Sequence, residues 1–126
     1  MTNRSALSVF ERLIGASGAL HGLLAVMALA SSSHLATNPG GAELLQRGGQ
    51  IELFHALAVF AALCVGARLP ALLFTLGAAA FALPLYLHGF AGFTALGFLA
   101  PIGGLTLLAG WGMLFCVLLL PLPKTA

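Results

Sequence analysis

The last long apolar segment decides the fold class. Residues 95–120 read ALGFLAPIGGLTLLAGWGMLFCVLLL and contain no charged side chain. A helix needs about 20 largely apolar residues to cross the hydrocarbon core of a bilayer. An open strand would leave backbone groups unpaired in hydrocarbon, so this segment predicts a transmembrane α-helix.

The composition of the whole chain also indicates a membrane protein. Of its 126 residues, 60% are hydrophobic and 6% are charged, and the mean hydropathy is +1.08. A soluble domain carries about a quarter charged residues, because a folded surface needs them to stay in water. The basic residues are scattered singly, without the stripe that nucleic-acid binding requires. We therefore expect one domain over residues 1–126, with the lipid bilayer as its main partner and no nucleic acid.

Three further apolar segments extend the prediction to an all-α membrane protein with four transmembrane helices in an antiparallel bundle. Pro70 separates the second span from the third, because proline removes a helical hydrogen bond and breaks a helix interior. The predicted spans are residues 7–31, 51–67, 71–88 and 95–120.

The connection over residues 33–50 is predicted to be an interfacial loop. Asn38 is a candidate helix cap, and residues 42–47 are expected to form one or two helical turns. Leu44 and Leu45 would then rest on the bilayer interface. Gly48 and Gly49 would stop these turns, since glycine favours helix ends.

The placement of basic residues predicts the orientation. Cytoplasmic loops carry an excess of Lys and Arg. If both termini are cytoplasmic, Arg4, Arg12, Arg68 and Lys124 all lie inside and Arg47 alone lies outside. We therefore expect a bacterial-type inner membrane protein with both termini in the cytoplasm.

Small residues at helical spacing predict where the helices pack. In lipid, small side chains allow two backbones to approach closely. Cys64 and Cys116 lie in apolar runs, and we expect them to be buried small hydrophobes. The predicted packing positions are Gly15, Gly18 and Gly22 on the first span and Gly103, Thr106 and Gly110 on the fourth.

Three segments resemble a known family. Residues 100–111, APIGGLTLLAGW, look like the signature of YgdD-type small inner-membrane proteins, which are related to transmembrane protein 256. Residues 54–58, FHALA, and residues 85–87, LYL, resemble the family's second-helix and third-helix segments. The resemblance covers the chain from about Gly15 to Leu119. It implies four helices and no established activity.

Ionisable groups within the spans are the candidate functional residues, because an ionisable side chain in hydrocarbon is costly. At about 1.5 Å of rise per residue, counted from Arg12 on the first span and from Arg68 on the second, His21 is expected near the midplane and His55 in the outer half. Glu52 shares a helix face with His55 at three residues' separation. The candidates expected at the outer end of the bundle are His34, Glu52, His55, Tyr86 and His88.

Several roles remain open for these side chains. A haem would need two histidines on facing helices, for which His21 and His55 are the best pair. A transition metal would use His55 and Glu52 with either His34 or His88. A quinone or lipid headgroup would use His55, Glu52 and Tyr86. The alternative to all three is hydrogen bonding between helices, with no ligand at all.

Catalysis is disfavoured by what the sequence lacks. The chain contains no Asp, no Gly-x-Ser-x-Gly motif and no phosphate-binding glycine loop ending in Lys-Ser or Lys-Thr. We therefore expect a protein that is not an enzyme and has no cofactor. Its expected role is that of an accessory component, packed against other membrane subunits or against itself. The alternative is a small redox or ligand-binding protein that holds haem, quinone or metal through His55.

Overall fold

The computed structural model describes residues 7–36 and 38–120, and this part of the chain forms four α-helices. No β-strand occurs among these residues, which confirms the all-α fold class. Three of the helices are long and apolar enough to cross a membrane by length and composition, namely the first, third and fourth. The helices are α1 (Val9–Ser31), α2 (Gly41–Cys64), α3 (Arg68–Ala91) and α4 (Leu99–Leu119).

Local sequence signals set several of the helix ends. Ser8 and Glu11 form a capping box at the start of α1, each side chain accepting a hydrogen bond from the other residue's backbone N–H. Pro70 is the third residue of α3, where its missing N–H costs nothing. Gly92 ends α3 in the left-handed conformation at φ 67°, which glycine adopts without a steric penalty.

The helices pack in an antiparallel order, α1 on α2, α2 on α3 and α3 on α4, with a smaller contact between α1 and α3. Antiparallel packing is seen for α1 and α2, where Gly18 lies beside Val59 and Gly49 lies beside Leu29. Val59 belongs to a core shared by all four helices and centred on Phe74 of α3, both side chains being fully buried. The helices α2 and α3 thus lie between α1 and α4.

The second helix differs from the predicted interfacial loop over residues 33–50. It begins at Gly41 and runs without a break to Cys64, so the predicted stop at Gly48 and Gly49 does not occur. A Cβ atom at Gly48 would lie 2.8 Å from the Tyr86 ring, and one at Gly49 would lie 2.8 Å from Leu29. These glycines are contact positions for α3 and α1. Glycine lowers helix propensity by only about 1 kcal/mol, which tertiary packing overcomes.

Two other residues of this connection also lie elsewhere than expected. Leu45 is fully buried, with its side chain against Gly89 of α3, and does not rest on a bilayer interface. Asn38 does not cap α2, since the cap position is Gly40. The Asn38 side chain instead donates to the carbonyls of His88 and Gly89, each at 3.3 Å. It therefore satisfies the end of α3, where backbone carbonyls lack helical partners.

The predicted packing positions are not equivalent. On α1, a Cβ at Gly18 would lie 3.1 Å from Val59, one at Gly15 would lie 3.7 Å from Leu63, and one at Gly22 would have no neighbour within 4 Å. On α4, Gly103 packs on the α3 backbone and Gly110 packs on Phe74. The Thr106 hydroxyl donates to the Ile102 carbonyl of its own helix.

The cysteines are a correction to the sequence analysis. Cys64 and Cys116 are free and both are exposed on the outside of the bundle. The residues around them in the sequence are apolar because the outer surface of the helices is apolar. Apolar side chains such as Leu108, at 68% exposure, lie on that same outer surface.

The contact of Gly103 with α3 can be tested by a matched pair of substitutions on α4. We predict that Gly103→Ala destabilises the protein by about 1 to 3 kcal/mol through overpacking, because its Cβ would lie 2.8 Å from the Gly77 carbonyl oxygen. Gly112→Ala has no neighbour within 4 Å and should leave the protein as stable as wild type or up to about 1 kcal/mol more stable, because alanine has the higher helix propensity. Denaturant unfolding in detergent, followed by circular dichroism, measures both. Equal stabilities for the two variants would contradict this packing.

Candidate functional site

A buried carboxyl group on α2 joins three helices. The Glu52 side chain is almost fully buried, with the residue 2% exposed. Its Oε1 lies 2.6 Å from Nδ1 of His21 on α1. Its Oε2 accepts a hydrogen bond from the hydroxyl of Tyr86 on α3. Both carboxyl oxygens therefore have partners, as a buried polar group requires.

The pairing of Glu52 with His21 determines the net charge of the cluster. A carboxylate between a neutral imidazole and a phenol would leave one net negative charge inside an apolar bundle, which is costly. One further proton, shared between Glu52 and His21, makes the cluster neutral whichever of the two carries it. The arrangement is thus suited to hold a proton between two residues, with Tyr86 fixing the position of the carboxyl group.

The His21 ring, like Tyr86, is partly exposed at the surface of the bundle. Its side chain is 12% exposed, and Nδ1 is its hydrogen-bonding atom within the described residues. In that part of the chain, no buried side-chain nitrogen or oxygen lacks a hydrogen-bond partner. Since Nε2 of His21 has no partner there, it must lie at the surface of the bundle.

A second polar contact on α2 involves His55, whose ring is 8% exposed. Its Nδ1 lies 2.7 Å from the Ile51 carbonyl oxygen, and its Nε2 lies 3.0 Å from the indole Nε1 of Trp111 on α4. A carbonyl can only accept and an indole N–H can only donate. Nδ1 therefore carries the proton, Nε2 is the acceptor, and the imidazole is neutral in this arrangement.

Aromatic contacts hold the His55 ring in place. Its centroid lies 5.7 Å from that of Phe74 and 6.0 Å from that of Trp111. The Phe74 and Trp111 centroids are 4.8 Å apart, with the rings tilted, in the range of favourable aromatic pairs. Beside these rings an apolar groove of about 640 Å³ opens between α2, α3 and α4. His55 of α2, Phe81 of α3, and Leu108 and Trp111 of α4 are among the residues that line the groove.

The structure divides the predicted outer cluster into separate parts. It brings Glu52 together with Tyr86, and both with His21, which the sequence analysis placed nearer the midplane. His55 contacts Trp111 and not the carboxyl group. His34 is exposed and His88 is half-buried, and within the described residues neither side chain hydrogen-bonds to this cluster.

The depth of His21 relative to Glu52 was misjudged for a physical reason. The predicted depths on α2 counted rise from Arg68, but α2 ends at Cys64 and residues 65–67 form a turn. Turn residues add no helical rise, so the α2 side chains lie closer to the loop than predicted. His21 therefore meets Glu52, whereas His55 makes a separate contact with Trp111.

Trp111 is the functional residue that the sequence analysis missed. Its indole N–H can only donate a hydrogen bond, and inside a span it needs an acceptor from the protein. The candidate acceptors among the other helices were few. Its position in an otherwise apolar helix was therefore a usable signal for a contact with a histidine.

The Tyr86 hydroxyl generates a second prediction. We expect Tyr86→Phe to destabilise the protein by about 1 to 3 kcal/mol, because it leaves a buried carboxyl oxygen of Glu52 without a donor. Thr106→Val is the matched control, since that hydroxyl bonds only to a carbonyl of its own helix. Unfolding in detergent compares the two variants with wild type. If Tyr86→Phe unfolds like Thr106→Val, the contact with Glu52 contributes nothing.

Comparison with known proteins identifies the family but not an activity. A family described as proteins of unknown function, DUF423, matches residues 14–104. The match includes His21, Glu52, His55 and Tyr86 and ends within the first turns of α4, before Trp111. No curated protein and no solved structure is similar enough to the chain to count as a match. Because the family match covers most of its length, the chain belongs to the DUF423 family, in agreement with its resemblance to small membrane proteins of unknown function.

Proposed function

We propose that this protein is a non-catalytic component of a bacterial-type inner membrane, where it associates laterally with other membrane subunits or with itself. The observation that carries the proposal is that the buried polar side chains form hydrogen bonds within the protein. In the described chain, no buried side-chain nitrogen or oxygen lacks a hydrogen-bond partner. A catalytic group has to present a proton or a lone pair to its substrate. The carboxyl oxygens of Glu52 are instead engaged with α1 and α3, and the ring nitrogens of His55 with a carbonyl of α2 and with Trp111 of α4.

The proposal includes α2 as a fourth span. At one end of α2, Gly41 packs on the Gly89 carbonyl of α3, and at the other end a short turn joins the two helices. The helix α2 therefore runs beside α3 over its whole length. Its 24 residues extend for about 36 Å at 1.5 Å per residue, enough for a hydrocarbon core of about 30 Å. If α3 crosses the membrane, α2 crosses it as well.

The outer surface supports lateral association. The helices α1 and α4 each pack inward on one side only. In both helices, 22% of the most apolar 18-residue segment is buried. On α4, Leu105, Leu108 and Phe115 are each about two-thirds exposed. Leu20, Leu23 and Met27 are more than half exposed on α1. Such surfaces fit either lipid chains or the apolar face of another membrane helix.

The orientation is the third prediction. We expect both termini to be cytoplasmic, because Arg12 and Arg68 lie at one end of the bundle, where Arg68 Nε lies 3.0 Å from Glu11 Oε1. Arg47, paired with Glu43, lies near the other end of α2. This places the excess of basic residues on the inner side. Reporter fusions at each terminus measure this. Activity of an outside-specific reporter at both ends would reverse the orientation, and opposite locations would require an odd number of spans.

Photo-crosslinking in native membranes tests the lateral association and is the fourth prediction. Replacement of Leu108 on α4, or of Leu24 on α1, by the photoreactive amino acid benzoylphenylalanine should give discrete protein adducts, because both side chains are exposed. The control is the same replacement at Phe81, where an aromatic side chain already packs against the core. That position should react within the chain. If the two outer positions yield lipid adducts alone, the assembly proposal is wrong.

The alternative function is a redox or ligand-binding protein that holds haem, quinone or metal through His55. The apolar groove beside His55 and Trp111 is the observation that favours it. Ligation at Nε2 of His55 would first require Trp111 to release its hydrogen bond. A visible absorption spectrum and organic extraction of the purified chain distinguish the two functions. A haem or metal absorption band, or a co-purified quinone, would favour the alternative over the accessory role.

A further inference from the structure

A second groove, of about 700 Å³, lies between α1 and α2 on the outside of the bundle. It extends from Leu7, just before α1, to Ala19, and from Arg12 to Ala19 it follows about 10 Å of helix at 1.5 Å per residue. The hydrocarbon of one leaflet is about 15 Å thick, half of a bilayer core of about 30 Å. From Arg12 the groove therefore covers about two-thirds of one leaflet, which is enough for the upper part of one lipid acyl chain.

Small and apolar side chains shape this groove. Gly15, Ala16 and Ala19 line it on α1, and Phe60 and Leu63 line it on α2. A Cβ atom at Gly15 would lie 3.7 Å from Leu63, so the two helices are in ordinary contact beneath the groove. Phe60 is 40% exposed and forms part of the wall. A flexible apolar chain fits such a surface.

The polar end of the groove carries an unpaired positive charge. Arg12 lines the groove, is exposed, and forms no ion pair with another described residue. The neighbouring Arg68 is compensated by Glu11, and Arg47 is compensated by Glu43. Among the described arginines, Arg12 is thus the one whose charge the protein leaves unmatched. A guanidinium group is well suited to bind a phosphate with two parallel hydrogen bonds.

We propose that this groove binds one anionic phospholipid. Arg12 binds the headgroup phosphate, and one acyl chain lies on Gly15, Ala16 and Ala19 against Phe60 and Leu63. Basic residues at the cytoplasmic ends of membrane helices recognise anionic lipids in this way. The site is separate from the polar cluster around Glu52 and does not depend on whether the protein assembles with other subunits.

Native mass spectrometry of the full chain in detergent tests the proposal. The probes are phosphatidylglycerol and phosphatidylcholine with identical acyl chains. Wild type should bind phosphatidylglycerol about fivefold more tightly, the factor expected for one basic residue near an anionic headgroup. Arg12→Gln should remove this preference and Arg12→Lys should keep most of it. Arg47→Gln is the matched control, because Arg47 is also exposed but is paired with Glu43 and lies outside the groove, and it should change nothing.

A groove-filling variant separates binding of the whole lipid from binding of its headgroup. Ala19→Leu should weaken the binding of both lipids, because a larger side chain occupies the path of the acyl chain. Arg12, Arg47 and Ala19 are exposed, so these replacements remove no core contact, and circular dichroism confirms the helical content of each variant. An unchanged lipid preference in Arg12→Gln, or an equal loss in Arg47→Gln, would refute the role of Arg12. Unchanged binding in Ala19→Leu, or dimers in place of lipid adducts, would refute occupation of the groove by an acyl chain.

Discussion

Apolar surroundings offer no hydrogen-bond partner, and this constraint determines the place of α2 in the structure. Glu52 and His55 lie three residues apart on this helix, and each needs a polar partner that apolar side chains cannot supply. Three other helices each contribute one side chain, His21 from α1, Tyr86 from α3 and Trp111 from α4. Because these partners approach from different sides, α2 has to lie where all three helices can reach it.

The same constraint explains why the helix with the weakest membrane signal lies inside the bundle. By length and composition alone, α1, α3 and α4 qualify as spans and α2 does not. Hydropathy adds up the cost of each side chain as if it faced lipid by itself. A carboxyl group bound by an imidazole and a phenol exposes almost none of its polar surface, and Glu52 is 2% exposed. The polar residues of α2 therefore lower its hydropathy without lying in the lipid.

The sequence predicted the number and type of the helices but not which side of each helix faces its neighbours. Long apolar runs identify the spans, but the predicted cap at Asn38 was wrong and α2 begins ten residues before the predicted start of the second span. Helices that are apolar on every side, such as α4, show no hydrophobic face that would indicate their rotation. That is why Cys116 was expected to be buried and is exposed. Glycines add a second ambiguity. A Gly-Gly pair such as Gly48 and Gly49 is typical of a helix end, but in the structure these residues are contact positions for α3 and α1.

The candidate site was harder to predict than the fold because it depends on the relative depth of helices. The residues Glu52, His55 and Tyr86 were identifiable one by one as polar groups in apolar segments. Their partners depend on how many residues the turn between α2 and α3 uses, which moved Glu52 to the level of His21. An error of one helical turn, about 5.4 Å, exchanges one hydrogen-bond partner for another.

These internal pairings distinguish binding at the polar cluster from binding on the surface of the bundle. A ligand at His55 would displace a hydrogen bond whose net worth is about 1 kcal/mol, and it would also have to separate Trp111 from the neighbouring rings. A lipid or a partner helix on the outer surface displaces nothing that the protein has already paired. The uncompensated charge of Arg12 lies on that surface, at the end of a groove. Binding there adds an interaction that the folded chain does not make by itself, whereas binding at the polar cluster would first break one.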